Sequence, residues 1–155
     1  MIEQQYIYNY DLICKAEQKT FELTNSFLIM QQAAKACYSF IIKNLTKQKT
    51  LVLCGSGNNG GDGTLIAQHL IQQNFSVDIH YPFGFPKTDD SKKALDLLSD
   101  KKRVKENISF DNYTLIVDAL FGTGLNRKLE PSVLSFIDRI NKSGAEIISI
   151  DMPSG

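Results

Sequence analysis

The run GSGNNGGDG, Gly55 to Gly63, carries more capacity for chemistry than any other stretch of the chain. Five glycines in nine residues remove the Cβ atoms that would hold a phosphate or sugar away from backbone N–H groups. The run follows an apolar, β-rich segment, Thr50 to Cys54, and the pattern behind it predicts a helix from Thr64 to Gln73. A strand, a Gly-rich loop and a helix N-terminus make an anion-binding corner. Asn58, Asn59 and Asp62 add three oxygen-bearing side chains, more polar content than an ordinary dinucleotide fingerprint carries. Such a corner is suited to catalysis as well as to grip.

Two other stretches have similar character. Asp118 ends the apolar run that starts at Leu115 and opens the loop ALFGTGLNRK, Ala119 to Lys128. Asp151 opens DMPSG, directly after the candidate strand Glu146 to Ile150. Each of the three polar or Gly-rich segments therefore follows a candidate strand.

The elements that must position them alternate between helix and strand. A short helix is predicted over residues 11–22. Thr24 or Asn25 caps a second helix, whose apolar positions Phe27, Met30, Ala33, Ala34, Cys37, Phe40, Ile41 and Leu45 follow helical spacing. Strands are predicted near Leu51 to Cys54 and Phe75 to Tyr81, the latter with Val77 and Ile79 on one face and Asp78 and His80 on the other. The turn PFGFP, Pro82 to Pro86, leads to a helix capped by Thr88. Asn107 to Phe110 is predicted as a short edge strand, and Leu115 to Asp118 as another strand. Pro131 at N1 opens a helix with Val133, Leu134, Ile137 and Ile140 on its apolar face, and Gly144 closes it. Strands alternating with helices predict a parallel sheet covered on both faces, an α/β Rossmann-like three-layer αβα sandwich preceded by N-terminal helices. In such sheets ligands bind beyond the carboxyl ends of the strands, so residues 55–63, 118–128 and 151–155 are expected to meet at one edge.

Composition is consistent with one domain. The chain has 155 residues, enough for a substantial core, and 17 basic residues balance 17 acidic ones. No global field favours nucleic acid or an anionic membrane. The three cysteines, Cys14, Cys37 and Cys54, lack CxxC spacing and read as reduced thiols. No stretch reaches membrane-spanning length and the amino terminus lacks secretory character, so the cytoplasm is the expected compartment. His69 and His80 stand alone in the sequence, as packed or solvated histidines do.

GSGNNGGDG, DALFGTGLNRKL (Asp118 to Leu129) and IDMPSG (Ile150 to Gly155), in that order after three strands, together resemble the YjeF amino-terminal family, which contains the NAD(P)H-hydrate epimerases. The resemblance covers the chain from about Asp11 onward. It departs at Gln31, Gln32 and Ala34, where the family has a Leu-Met-Glu-Asn-Ala-Gly segment, so no role is carried onto that helix. The family's domain continues past its Asp-x-Pro-Ser-Gly turn. The resemblance thus implies a single domain, residues 1–155, incomplete at its C-terminus.

The implied activity interconverts the R and S epimers of hydrated NADH or NADPH, damaged cofactors with a hydroxyl on carbon 6 of the reduced nicotinamide ring. Inversion needs a group that gives and takes a proton, which typically contributes about 10²–10⁴-fold. By resemblance, Asn58, Asn59, Gly60, Gly61 and Asp62 contact the substrate. So do Gly122, Thr123, Gly124, Leu125, Asn126, Arg127 and Lys128, together with Asp151. Asn59, Asp118 and Ser154 would hold a potassium ion through oxygen donors, as suits a hard cation. Asp151 ranks first as catalyst and Asp62 second, on the geometry expected at the sheet edge; Asp118 is set aside because a cation-bound carboxylate has lowered proton affinity. The resemblance also implies a fused or separate NAD(P)H-hydrate dehydratase as partner, and a homodimer.

Each of these residues also has a plain structural use. Asn58 and Asn59 tolerate left-handed backbone, Asp62 can cap the following helix, Asp118 can satisfy loop amides, Gly122 to Gly124 can form a bare turn, and Asp151 can fix the turn it opens. Two other functions fit parts of the pattern. Gly55, Gly57 and Gly60 match a conventional dinucleotide fingerprint, but the acidic residue such an oxidoreductase needs at the end of its second strand is Asp78, inside the strand. A non-catalytic binding or scaffold module of the same fold is the other.

Overall fold

The computed structural model describes residues 25–46, 48–125 and 128–155. The helix predicted over residues 11–22 lies outside them. Helix α1, Ser26–Asn44, opens at Asn25, whose side chain accepts the Phe27 N–H at 2.9 Å. Strand β1, Thr50–Cys54, is buried throughout and leads into α2, Asn58–Gln72. Strand β2, Val77–His80, alternates buried and half-buried positions as its sequence predicts. Helix α3, Asp89–Asp96, is capped by Thr88, β3 is Leu115–Ala119, α4 is Pro131–Asn141 with Pro131 in its first turn, and β4 is Glu146–Ser149.

All strand pairings are parallel and the sheet order is β2-β1-β3-β4. Chain direction across the sheet therefore reverses at β1, and the gap between β1 and β3 is the topological switch point. Period-two alternation divides the core. Val52, Cys54, Leu115, Val117, Val77 and Ile79 face the layer of α1, α2 and α3. Leu51, Leu53 and Ile116 face the opposite side, where Ile140 and Phe136 of α4 meet Phe110, Tyr113 and Leu120. The predicted three-layer α/β architecture is the one found.

Two elements differ from the sequence expectation. Residues 107–110 form no strand. The chain makes two 3₁₀ turns, Lys101–Arg103 and Phe110–Asn112, and the β2 edge is covered by a single bridge from Val104 and by the Lys105 N–H donating to the Ile79 carbonyl at 2.8 Å. Ile108 and Phe110 instead turn into the core on the α4 side of the sheet. The second difference bears on function. Helix α2 starts at Asn58, six residues before the predicted Thr64, so most of the Gly-rich run is helical. Glycine is a poor helix former, and tertiary packing overrides that preference. A Cβ on Gly60 would lie 1.8 Å from the Gly55 carbonyl oxygen, so the first turn of α2 can press on the strand end only without side chains. Thr64 secures this turn, its hydroxyl donating to the Gly60 carbonyl at 2.8 Å and sitting 2.8 Å from the Tyr81 hydroxyl. Asp62 is therefore inside the helix; the cap position belongs to Gly57, and no side chain caps it.

Candidate active site at the sheet edge

The loops after β1, β3 and β4 meet beyond the carboxyl ends of the strands and enclose a cavity of about 640 Å³. That size accommodates a small organic ligand. From the first loop come Gly55, Ser56, Gly57, Asn58, Asn59 and Asp62. The second gives Leu120 to Leu125 and Lys128, and the third gives Asp151. The uncapped N-terminus of α2 opens beside them, with its orphan N–H groups and positive dipole end.

Cross-loop hydrogen bonds fix the geometry. Asn59 donates its amide N–H to the Phe121 carbonyl at 2.8 Å, and Asp151 Oδ2 accepts the Thr123 N–H at 2.8 Å. Gly122 lies between these contacts: a Cβ there would be 2.4 Å from Asp151 Oδ2 and 3.5 Å from Asn59. Asn58 Oδ1 accepts the Thr88 hydroxyl at 2.6 Å, which ties the start of α2 to the start of α3.

Beneath the loops, Asp118 is only 5% exposed and organises the strand ends. Its Oδ1 accepts the Leu120 N–H at 3.1 Å and the Ser154 hydroxyl at 2.7 Å. Its Oδ2 accepts the Ser154 N–H at 3.0 Å and the Ser149 hydroxyl at 3.1 Å. Asp118 and Ser154 thus meet directly, whereas Asn59 lies on the cavity wall and neither Asp118 nor Ser154 lines it. Gly60 and Gly61 are buried below the surface, Gly61 against Met30 and Ser91. Asn126 and Arg127 fall outside the described residues. Among the described residues, no three or more His, Cys, Asp or Glu side chains gather as a metal cluster would require. Asp78 is turned away from the cavity, accepting the Tyr113 hydroxyl at 3.1 Å and lying 3.7 Å from Lys105 Nζ, which leaves the cavity without the ribose-binding carboxylate of a conventional oxidoreductase.

Sequence reasoning missed one wall. Phe83 and Lys87, from the loop after β2, also line the cavity, and Phe83 stacks on Phe121 with ring centroids 5.7 Å apart. The signal was available: β2 is parallel to the others, so its following loop had to reach the same edge.

Asp62 is the anomalous group. Its Oδ1 is buried and is the only such side-chain atom without a hydrogen-bond partner among the described residues. Burial, and secondarily the charge of Asp151, push its carboxyl from the ordinary 3.8 up to about 7. The folded chain therefore holds a proton that the unfolded chain has released. Stability from this group is complete below the ordinary carboxylate range and declines as pH rises towards about 7. Urea midpoints measured from pH 4 to 8 are expected to show this decline, and Asp62→Asn is expected to remove it. An unchanged slope in the variant would contradict the assignment.

A model of the YjeF-related protein N-terminus matches residues 26–155. The chain belongs to this family. It is 35% identical over 137 residues to the bifunctional NAD(P)H-hydrate repair enzyme Nnr of Dictyoglomus turgidum, an alignment covering 83% of this chain and 27% of that one. It is 33% identical over 135 residues to the NAD(P)H-hydrate epimerase of Lentilactobacillus buchneri, covering 84% and 63% of the two chains. The NAD(P)H-hydrate epimerase of Aedes aegypti is 35% identical over 122 residues, covering 73% and 51%. The chain thus spans between about a quarter and just under two thirds of the length of these relatives. The crystal structure of yeast ynu0, YNL200c, shares the fold with a TM-score of 0.75 at 20% identity, covering 97% of this chain and 72% of the other. As a member of the YjeF-related amino-terminal family, the chain has its three family loops around a single cavity. No helix among the described residues is long and apolar enough to cross a membrane.

Proposed function

We propose that the protein is an NAD(P)H-hydrate epimerase, an isomerase that interconverts the R and S hydrates of NADH and NADPH during nicotinamide-nucleotide repair. One observation carries this reading: a cavity at the β1/β3 switch point combines a helix N-terminus, two lysines and the carboxyls of Asp62 and Asp151, in a chain of the YjeF-related family. The α2 N-terminus, Lys87 and Lys128 suit the dinucleotide phosphates. Phe83, Phe121 and Leu125 give apolar surface for a ring, and Asp62 and Asp151 are the candidates for moving a proton. Asn58, Asn59 and the loop 122–128, with its residues Asn126 and Arg127, complete the proposed substrate contacts; Gly60 and Gly61 serve by permitting the close approach of α2.

Potassium is the proposed cofactor. The donor set fits it in chemistry: a carboxylate on Asp118, a hydroxyl on Ser154 and the amide oxygen of Asn59, all hard oxygens without His or Cys. When bound, the ion would neutralise the buried Asp118 and stiffen the strand-end loops. An NAD(P)H-hydrate dehydratase, fused or separate, is the proposed functional partner, in keeping with relatives named as bifunctional repair enzymes. A homodimer and a cytoplasmic setting complete the proposal.

The test starts from the pure R hydrate of NADPH, incubated with the protein in potassium buffer and followed by chromatography or NMR. The expected result is conversion towards the R/S equilibrium much faster than in buffer alone, and slower when potassium is replaced by a bulky organic cation. A scaffold module would leave the R form at its uncatalysed rate, and that outcome would sink the proposal.

A further inference from the structure

Two of the cavity's carboxyl side chains, Asp62 and Asp151, are in opposite settings. Asp151 is exposed, and its Oδ2 is committed to the Thr123 N–H, a bond that pins the loop beginning at Gly122. Asp62 lines the same cavity from the second turn of α2, with Oδ1 buried and unpartnered. A buried ionised oxygen without a donor is costly, whereas a neutral carboxyl in that place can give a hydrogen bond to whatever enters.

We propose that Asp62 is the catalytic acid/base of this site and that Asp151 is a positioning residue, which fixes the 122–125 loop rather than carrying the proton. The assignment rests on the epimerase reading and reverses the order suggested by sequence. In the step it describes, the Asp62 carboxyl gives its proton to the hydroxyl on carbon 6 of the hydrated ring. The carbon–oxygen bond breaks, the ring-nitrogen lone pair forms a carbon–nitrogen double bond, and water leaves. Water then adds to the opposite face, the double-bond electrons return to nitrogen, and the surplus proton passes back to Asp62 through water in the cavity. Nothing is oxidised or reduced.

The surroundings of Asp62 agree with an acid that is protonated near neutrality. Helix α1 presents Cys37, whose thiol is pushed up by burial and then by the Asp62 charge, and the loop after β4 presents Asp151. The other charged groups on the cavity wall are Lys87, Lys128 and Glu130.

The test compares wild type, Asp62→Asn and Asp151→Asn on the R hydrate of NADPH, with the wild-type rate measured first. Asp62→Asn is expected to lose about 10²-fold or more in kcat, while calorimetry still detects binding of the hydrate. The fall in wild-type rate as pH rises through about 7 is expected to vanish in this variant. Asp151→Asn is expected to raise KM while retaining kcat to within about tenfold, as loss of loop positioning should. A kcat for Asp62→Asn within about tenfold of wild type, or a loss confined to kcat in Asp151→Asn, overturns the assignment. Carbon-13 NMR of aspartate-labelled wild type gives a reading independent of variant folding. An Asp62 carboxyl titrating near 3.8 also overturns the assignment, and one near 7 supports it. A wild type inert toward the hydrate overturns the epimerase reading and this assignment with it, and is told apart because it precedes any variant.

Discussion

Asp118→Ala is expected to destabilise the fold by about 3–5 kcal/mol, because one buried and three half-buried donors lose their acceptor together. The Leu120 and Ser154 N–H groups and the Ser149 and Ser154 hydroxyls all converge on this one carboxylate. It therefore joins the end of β3 to the end of β4 and to the turn that carries Asp151. Asp118→Asn keeps the size and one acceptor oxygen but turns an NH₂ towards donors, so an intermediate loss is expected. Urea unfolding at neutral pH measures both. The cavity should also open, because the Ala119–Leu125 loop and the 151–155 turn would no longer share an anchor. A loss below about 1 kcal/mol for the alanine variant would mean that water replaces the carboxylate, and would remove Asp118 as the organiser of the strand ends.

Gly60→Ala is the second large effect. The added Cβ would meet the Gly55 carbonyl oxygen at 1.8 Å and the carbonyl carbon at 2.6 Å, both backbone atoms that cannot swing aside. The first turn of α2 must then move off the end of β1, at a cost of about 3 kcal/mol or more. Gly57→Ala is the matched control. Nothing lies within 4 Å of its Cβ position and its φ of −95° suits any residue, so a change of less than about 1 kcal/mol is expected from the altered cap. Urea midpoints separate the two. Equal shifts, or a Gly60→Ala variant as stable as wild type, would remove contact with the Gly55 carbonyl as the reason for the glycine.

The difference between these glycines marks how far the sequence could be read. GSGNNGGDG announced a close approach of backbone to backbone or ligand, but one-dimensional spacing does not say which glycine is pressed and which merely turns. Helix propensity placed the start of α2 at Thr64, and contact with the Gly55 carbonyl, made possible at Gly60, placed it at Asn58. The predicted strand at residues 107–110 failed for a related reason. One bridge from Val104 and one hydrogen bond from Lys105 already cover the β2 edge.

The carboxyls show the same division. Asp62, Asp118 and Asp151 were each legible as candidates, since each lies in one of the three polar segments, 55–63, 118–128 and 151–155, that follow the apolar stretch of a candidate strand. Their ranking was not. Asp118 meets Ser154 across 36 residues and Asn59 meets Phe121 across 62, and the setting of Asp62 depends on α1 and on Asp151.

The sequence by itself determined the alternation of strand and helix, and hence a parallel sheet with three polar loops at one edge. These follow from local periodicity, turn chemistry and the handedness of crossovers, all of which act over a few residues or one crossover. Only the tertiary structure decided which carboxyl is desolvated, which anchors a loop and which binds the strand ends together. Desolvation and hydrogen bonding depend on neighbours that the folded chain brings from distant positions, and no spacing in the sequence encodes their distance.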